Sequence, residues 1–435
     1  MTRDIAIDIF RAALKAADPY DSVMHHLEHA LSIYHQGAYR KLYAVAFGKA
    51  AVSMMQAVVD RAGDLLTKAI VITKYEHAKA ARFPGVIEVY EAGHPLPDKN
   101  GVAATRRTVE LLKKADAETL VLCLISGGGS ALFVSPTNGI SLEDKQNVTH
   151  SLLKAGTDIV ELNTVRKHLS LVKGGRLAEI TYPARMISLI LSDVIGDPLD
   201  VIASGPTAPD ETTFADAINV LNKYHLLDAI PESALSLLLD GQRGLIADTP
   251  KHGSPAVKMV ENTIIGSNAK ATAAAIARAQ ELGYQSKLLS STLQGEAKDV
   301  ARWLARTVIQ TGAENMRGNR RLCFVAGGET TVTVRGTGLG GRNTEMALAF
   351  AVEIKGMQGI TMLSAGTDGT DGPTDAAGAI VDYETVSLAS GLNLDPMVFL
   401  KNNDSYRFFE KAGGLIKTGP TGTNVMDIQI VLIES

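Results

Sequence analysis

The sequence predicts an α/β protein of two domains, the first built on a mostly parallel, buried sheet. Three observations carry this. Short apolar runs rich in Val and Ile recur between longer stretches of helical periodicity. The 435 residues exceed what one ordinary core holds. Hydrophobic residues make up 46% of the chain and charged residues 21%, which is ample for buried cores and unlike a disordered composition.

The first 18 residues interrupt their apolar positions with charges at helical spacing, so they read as an amphipathic helix and not as a secretory signal. Strands follow at Tyr43–Phe47, Ala69–Thr73, Val86–Tyr90, Thr119–Ser126 and Met186–Ser192. Helical patterns lie between them at Ala50–Arg61, Gly101–Ala115 and Leu142–Leu153. Two more helical segments, Phe214–Tyr224 and Pro231–Leu239, precede a stretch at Asp240–Val257 where Gly, Asp, Pro and His cluster. The domain boundary is therefore placed near Ile230, giving domains at 1–230 and 231–435. The second half alternates again: strand Thr263–Ile265, helix Ala269–Leu282, strand Gln285–Leu289, helix Ala297–Thr311, strand Leu322–Ala326 and a hairpin-like Glu329–Arg335. A helix at Asn343–Ile354 and strands at Ile360–Ser364 and Met426–Ile433 complete it.

The formal charge of −4 leaves no global basic field, which argues against nucleic acid as a partner and makes any anion site local. Nowhere do about 18 uninterrupted apolar residues occur, so no membrane span is expected. The two cysteines, Cys123 and Cys323, each sit inside an apolar run, and a cytoplasmic location suits a chain without a disulfide framework.

The richest local signal is Val325–Glu345, whose glycines run straight into the helical pattern after Asn343. Glycines let a backbone turn its N–H groups onto a ligand, and a helix start adds partial positive charge. Gly328, Glu329, Gly340, Gly341, Arg342 and Asn343 are the ligand-facing candidates there, with Arg335 as a second guanidinium. In the first half, Ser126, Gly127, Gly128, Gly129 and Ser130 follow a strand, where the crevice of an open α/β sheet lies. Lys49 stands in the same position after an earlier strand, between small neighbours, as a point charge for a phosphoryl group. Neither loop fits the dinucleotide or Walker patterns.

Strand-end aspartates form the third component. Asp193 and Asp197 follow one strand; Asp368, Asp371 and Asp375 follow another, and carboxylates on glycine-rich loops suit magnesium. Asp–Gly turn formation is the competing explanation. From Asn163, read as a helix cap, to Gly174, Arg166, Ser170 and Lys173 share one face that can hold an anion. His168 is either an acid–base group or structural. Gly93–Asp98, with His94 before Pro95, is a rigid loop.

These segments together resemble the class II glycerate kinases, the glycerate 2-kinase family whose C-terminal part is the MOFRL domain. The resemblance spans nearly the whole chain and rests on Ala46-Phe-Gly-Lys-Ala, Gly93-His-Pro-Leu-Pro-Asp, Ile125-Ser-Gly-Gly-Gly-Ser-Ala-Leu, Asn163-Thr-Val-Arg-Lys-His-Leu-Ser, Gly340-Gly-Arg-Asn-Thr-Glu and Gly366-Thr-Asp-Gly-Thr-Asp-Gly, among others. It implies a Rossmann-like three-layer N-terminal domain, a C-terminal MOFRL-type α/β domain with a mixed sheet, and a site in the cleft between them. The implied activity is ATP-dependent phosphorylation of D-glycerate at its 2-hydroxyl, with magnesium.

By the same resemblance Lys49 and Arg342 are the key catalytic groups and Asp193, Asp197 and Asp368 are the metal candidates; Asp193 is further read here as the group that orients the hydroxyl or takes its proton. Glycerate is expected near Ser126–Ser130 and the Arg166 face, and ATP phosphates at Gly327–Arg342. Relatives also carry the label hydroxypyruvate reductase, which, with a non-catalytic nucleotide or sugar-acid sensor, is the alternative. A homodimer is compatible with the sequence.

Overall fold

The computed structural model describes residues 2–37, 39–79, 81–315 and 321–434. The chain forms two compact units, one of residues 19–192 with 197–265, the other of residues 2–18, 193–196 and 266–434.

The first unit carries strands β1 (Lys41–Phe47), β2 (Leu66–Lys74), β3 (Ile87–Ala92), β4 (Thr119–Ile125), β5 (Arg185–Leu191) and β6 (Val260–Gly266) in the order β3-β2-β1-β4-β5-β6. The pairings β2/β3, β1/β2, β1/β4 and β4/β5 are parallel. β4 is buried at all seven residues, as the continuous Val/Leu/Ile run requires of a strand covered on both faces. Phe47 pairs with both Ile72 and Ile125, so β1 and β4 end level while β2 runs on to Lys74. Their loops are stitched together beyond that line: Lys49 N–H donates to Gly127 O at 2.8 Å, and Ala50 N–H to Ser126 Oγ at 3.1 Å. The sheet order places ligands at this edge.

Ile230, expected at a boundary, lies instead inside this unit. It is buried in one core with Val148, Leu152, Leu162, Phe214 and Leu238. The Gly/Asp/Pro/His stretch after it is a surface excursion tied back by the His168–Asp248 contact at 2.9 Å. The chain then returns as β6, whose Ile265 shares a core with Val71, Leu122 and Leu189. The changeover falls between Ile265 and Gly266.

The second unit holds β7 (Gln285–Leu293), β8 (Leu322–Gly328), β9 (Ile360–Gly366), β10 (Gly378–Asp382), β11 (Leu415–Ile416) and β12 (Asp427–Ile433), ordered β11-β10-β9-β12-β8-β7. The sheet is mixed: β7/β8 is parallel, and β12 runs antiparallel to both β8 and β9. Helix Arg342–Glu353 crosses it with Asn343 through Ala351 all buried, in a core of Phe324, Met346, Phe350, Met362, Phe408 and Val431. The first helix, Thr2–Ala16, belongs here, packed on helix Asn268–Glu281 and joined to it by Asp8–Arg278 at 2.7 Å.

Two local expectations are corrected. Glu329–Arg335 forms no hairpin; it is loop with one isolated bridge, Glu296 to Thr331. The helix expected to start at Asn163 spans Ile159–His168, because Asp158 and Glu161 form a capping box and Asn163 lies inside it. No helix among the described residues is long and apolar enough to cross a membrane. Cys123 and Cys323 are free, buried thiols, pushed up to about 12 by burial.

Candidate functional site

At the carboxyl edge of the first sheet, Gly128 adopts φ +81°, and a Cβ there would lie 3.0 Å from His94 Nε2 and 3.3 Å from Lys49 Cε. The glycine thus keeps open the space that these two side chains line. His94 is held neutral, down to about 4, by burial first and then by Lys49, Lys74 and His77. His77 is itself fixed through Nδ1 on the Lys49 carbonyl at 3.2 Å.

One turn further on, Ser130 gathers buried cations. Arg166 Nη2 donates to Ser130 Oγ at 2.6 Å, and Lys173 Nζ reaches Ser130 O at 2.9 Å and Ala203 O at 3.3 Å. Lys145 Nζ donates to the carbonyls of Arg166 and Leu169 at 2.9 and 3.0 Å. Lys145 is 4% exposed and Lys173 1%. Burial lowers all three side chains from their ordinary values, and Arg166 lowers both lysines further. Among the described residues none of the three has a carboxylate partner. Unpaired buried cations are costly unless an anion joins them. Lys145 and Arg166 border a cavity of about 370 Å³ whose other walls include Pro95, Leu96, Val134 and Leu162.

Arg166 and the Ser126–Ser130 loop are therefore brought together as expected, with Lys173. Ser170 is not: the helix has ended, and its hydroxyl donates to Ser135 O. His168 takes the structural reading, buried with Nδ1 on Thr164 O at 2.7 Å and Nε2 on Asp248.

In the second unit, β12 begins at Asp427, which pairs with Gly328 at the end of β8 and Gly366 at the end of β9. Arg342, the first residue of its helix, clasps Asp427 through Nε at 2.5 Å and Nη2 at 3.0 Å, and meets Glu329 through Nη1 at 2.8 Å. Burial raises Asp427, against the pull of Arg342. Glu329 is raised by burial and by Asp427, Asp193 and Asp368, with Arg342 opposing. Asp193 and Asp368 thus add negative charge to the Glu329–Asp427–Arg342 group.

Asp371 serves another purpose. It accepts from Asn343 N at 2.9 Å, Thr344 N at 2.8 Å and Thr344 Oγ1 at 2.7 Å, capping the helix that presents Arg342. Gly341 is required beside it, since a Cβ would lie 2.4 Å from the Asp371 carboxyl carbon. Asn343 is buried behind the site, accepting from Ser364 Oγ at 2.7 Å. Arg335 uses its backbone N–H on Asn403 and lies in loop, and Asp375 pairs with Lys417 at 2.8 Å.

Of the three aspartates expected as metal ligands, Asp193 and Asp368 both act on Glu329. Asp197, at φ 56° in a turn, belongs to the first unit, while Asp193 and Asp368 belong to the second. Among the described residues no group of three or more His, Cys, Asp or Glu side chains is arranged to hold a metal ion. Sequence reasoning missed Asp427, Lys145 and Lys74. Lys145 had a signal: it occupies a core position of its helix, beside Val148 and Leu152.

A nucleotide-fold sheet with a cation-lined edge, joined to a mixed-sheet unit presenting an arginine among carboxylates, defines an α/β protein built to handle small anions. Residues 5–239 match the family described as "Domain of unknown function (DUF4147)", and residues 322–427 match the MOFRL family. The chain is similar to the D-glycerate 2-kinase of Thermotoga maritima, 43% identical over 99% of this chain and 98% of that one. It is similar also to the glycerate 2-kinase of Pyrococcus horikoshii, 40% identical over 100% and 98%. The solved glycerate kinase of Thermotoga maritima superposes with a TM-score of 0.90, covering 99% of both chains at 43% identity. The chain belongs to the class II glycerate kinase family, whose C-terminal part is the MOFRL domain.

Proposed function

We propose that this chain transfers the γ-phosphoryl group of ATP to the 2-hydroxyl of D-glycerate, giving 2-phospho-D-glycerate and ADP. The observation that carries this reading is the carboxylate-free group of Arg166, Lys145 and Lys173 at Ser130, a ready receptor for a small acid, in a chain similar end to end to a D-glycerate 2-kinase. The planar fork of Arg166 suits a carboxylate. The Gly127–Gly129 backbone and the serines beside it suit the hydroxyls of glycerate, and Lys49 brings positive charge to the same loop.

Phosphoryl transfer asks for positioning and charge neutralisation more than for covalent chemistry. In the second unit, Gly328, Gly340 and Gly341 pack closely on Leu293, Ser405 and Asp371, and Arg342, braced by Asp427 and Glu329, supplies a fixed guanidinium. That group carries more carboxylates than cations, and Asp427, Asp193 and Asp368 add to the rise that burial imposes on Glu329, so the local excess of negative charge suits a hard cation. Magnesium entering with ATP would be held by Asp368 and Asp193, and would neutralise phosphate oxygens. This gives Asp193 a metal-holding role in preference to proton acceptance, and leaves Asp197 to its turn.

The strand order β3-β2-β1-β4-β5-β6 is that of dinucleotide-binding folds, which favours the reductase alternative. Against it, the β1 loop reads Gly48-Lys49-Ala50-Ala51 without the required glycine pattern. Two buried, unpaired thiols fit a cytoplasmic setting.

A coupled ADP assay tests the proposal, with ADP formation expected only when glycerate, ATP and magnesium are all present. Oxidation of NADH by hydroxypyruvate without ATP would overturn it in favour of a reductase, and glycerate binding without ADP formation in favour of a sensor.

A further inference from the structure

We propose that His94 is the group that accepts the proton of the glycerate 2-hydroxyl as the new O–P bond forms, an inference that rests on the kinase reading above. The loop around Gly127–Gly129 is rich in donors and poor in acceptors. Lys49 and Lys74 bring hydrogen-bond donors. Ser126 Oγ is committed to Ala50 N–H, and the Gly127 carbonyl to Lys49 N–H. Ser130 Oγ is engaged by Arg166, Lys173 and Ser204. A hydroxyl bound among such groups needs a lone pair to point at.

His94 supplies it. Its Nε2 and Cδ2 both lie 3.0 Å from where a Gly128 Cβ would stand, beside the Lys49 side chain. The ring is partly exposed and, among the described residues, makes no hydrogen bond to the protein. The loop that carries it is braced. Asp98 accepts from Gly101 N–H at 2.9 Å and from Tyr75 Oη at 2.5 Å, and Gln146 Nε2 donates to Pro97 O at 2.7 Å. The charged and titratable groups facing it are Lys49 after β1, and Lys74 and His77 at the end of β2, with Glu91 of β3 acting on His77. Burial first, and then this surrounding positive charge, keeps the imidazole unprotonated and its lone pair free through the neutral range.

The balance is simple. The 2-hydroxyl oxygen bonds the γ-phosphorus, the bond from that phosphorus to the bridging oxygen breaks with its electron pair leaving on ADP, and the hydroxyl proton passes to His94 and then to solvent. In a loose transition state the hydroxyl becomes acidic only as the O–P bond forms, so a weak base in the right place suffices.

The test uses the full chain with His94→Ala and His94→Gln in the coupled ADP assay. Both are expected to lower kcat by about 10²- to 10³-fold, with the KM for ATP within about threefold of wild type and an unchanged circular dichroism spectrum. Added imidazole is expected to restore turnover about tenfold or more in His94→Ala and not in His94→Gln, where the space is filled. His94→Ala within about fivefold of wild-type kcat, or a loss that imidazole does not relieve, would overturn the role of His94 while leaving the kinase reading intact. Absence of ADP formation by the wild type would overturn both. Should His94→Ala fail to fold, His94→Asn is read instead, with loss of kcat at unchanged ATP KM as the criterion.

Discussion

Arg342 and Asp427 are 85 positions apart in sequence and meet through two nitrogens and two oxygens at 2.5 and 3.0 Å. Asp427 is fully buried, whereas Arg342 remains a third exposed. The carboxylate therefore fixes the guanidinium and leaves its outer edge for a ligand. Arg342→Lys keeps the charge but not the two-pronged contact. It is expected to lower kcat about 100-fold or more while ATP still binds, as measured by steady-state kinetics. Asp427→Asn is expected to cost about 3 kcal/mol of stability in urea unfolding, since a buried pair is broken.

Lys49 has no carboxylate partner among the described residues, and its chain runs over Gly128. Lys49→Met is expected to leave the unfolding midpoint unchanged and to lower kcat by about two to three orders of magnitude. A folded Lys49→Met enzyme with full turnover in the ADP assay would remove Lys49 from the mechanism.

Asp371 caps the helix of Arg342 with three accepted hydrogen bonds from inside the core. Asp371→Ala is expected to cost about 2–4 kcal/mol, through lost capping and unsatisfied N–H groups. Thermal unfolding measures that cost, and kcat is expected to fall with it because Arg342 loses its seat.

The lysines at Ser130 give a pH signature. Their folded-state affinity for a proton is lowered by burial, and more so by Arg166. Below the ordinary lysine value of about 10.4 the unfolded chain then holds more protons than the folded one, so stability rises with pH up to that value. The urea midpoint is expected to increase from pH 8 to pH 10, and less so in Lys173→Met. Lys173→Met is also expected to raise the KM for glycerate about tenfold or more, as loss of a charged hydrogen-bond donor does. A midpoint that falls over this interval equally in both proteins contradicts the assignment.

Much of the architecture was legible because buried parallel strands leave continuous Val/Ile/Leu runs, and every strand expected in the first half is present. β10 and β11 were not, being five and two residues long and lacking a period to read. Lys49 and Arg342 stand out in the sequence because each follows a glycine at the approach to a helix. Asp427 was not, because what places it beside Arg342 is antiparallel pairing with two strands far away in sequence. The role of Asp371 was hidden for a similar reason: an Asp–Gly turn and a helix cap supplied from another loop have the same local sequence.

The helix Thr2–Ala16 packs against Asn268–Glu281, which is made only after the whole of residues 19–265. During synthesis its apolar face, with Ile9 and Phe10, has no partner until that later segment leaves the ribosome. Residues 19–265 are meanwhile complete enough to close their sheet. The second unit, whose sequence brackets the first, therefore cannot close until residues 19–265 have been made.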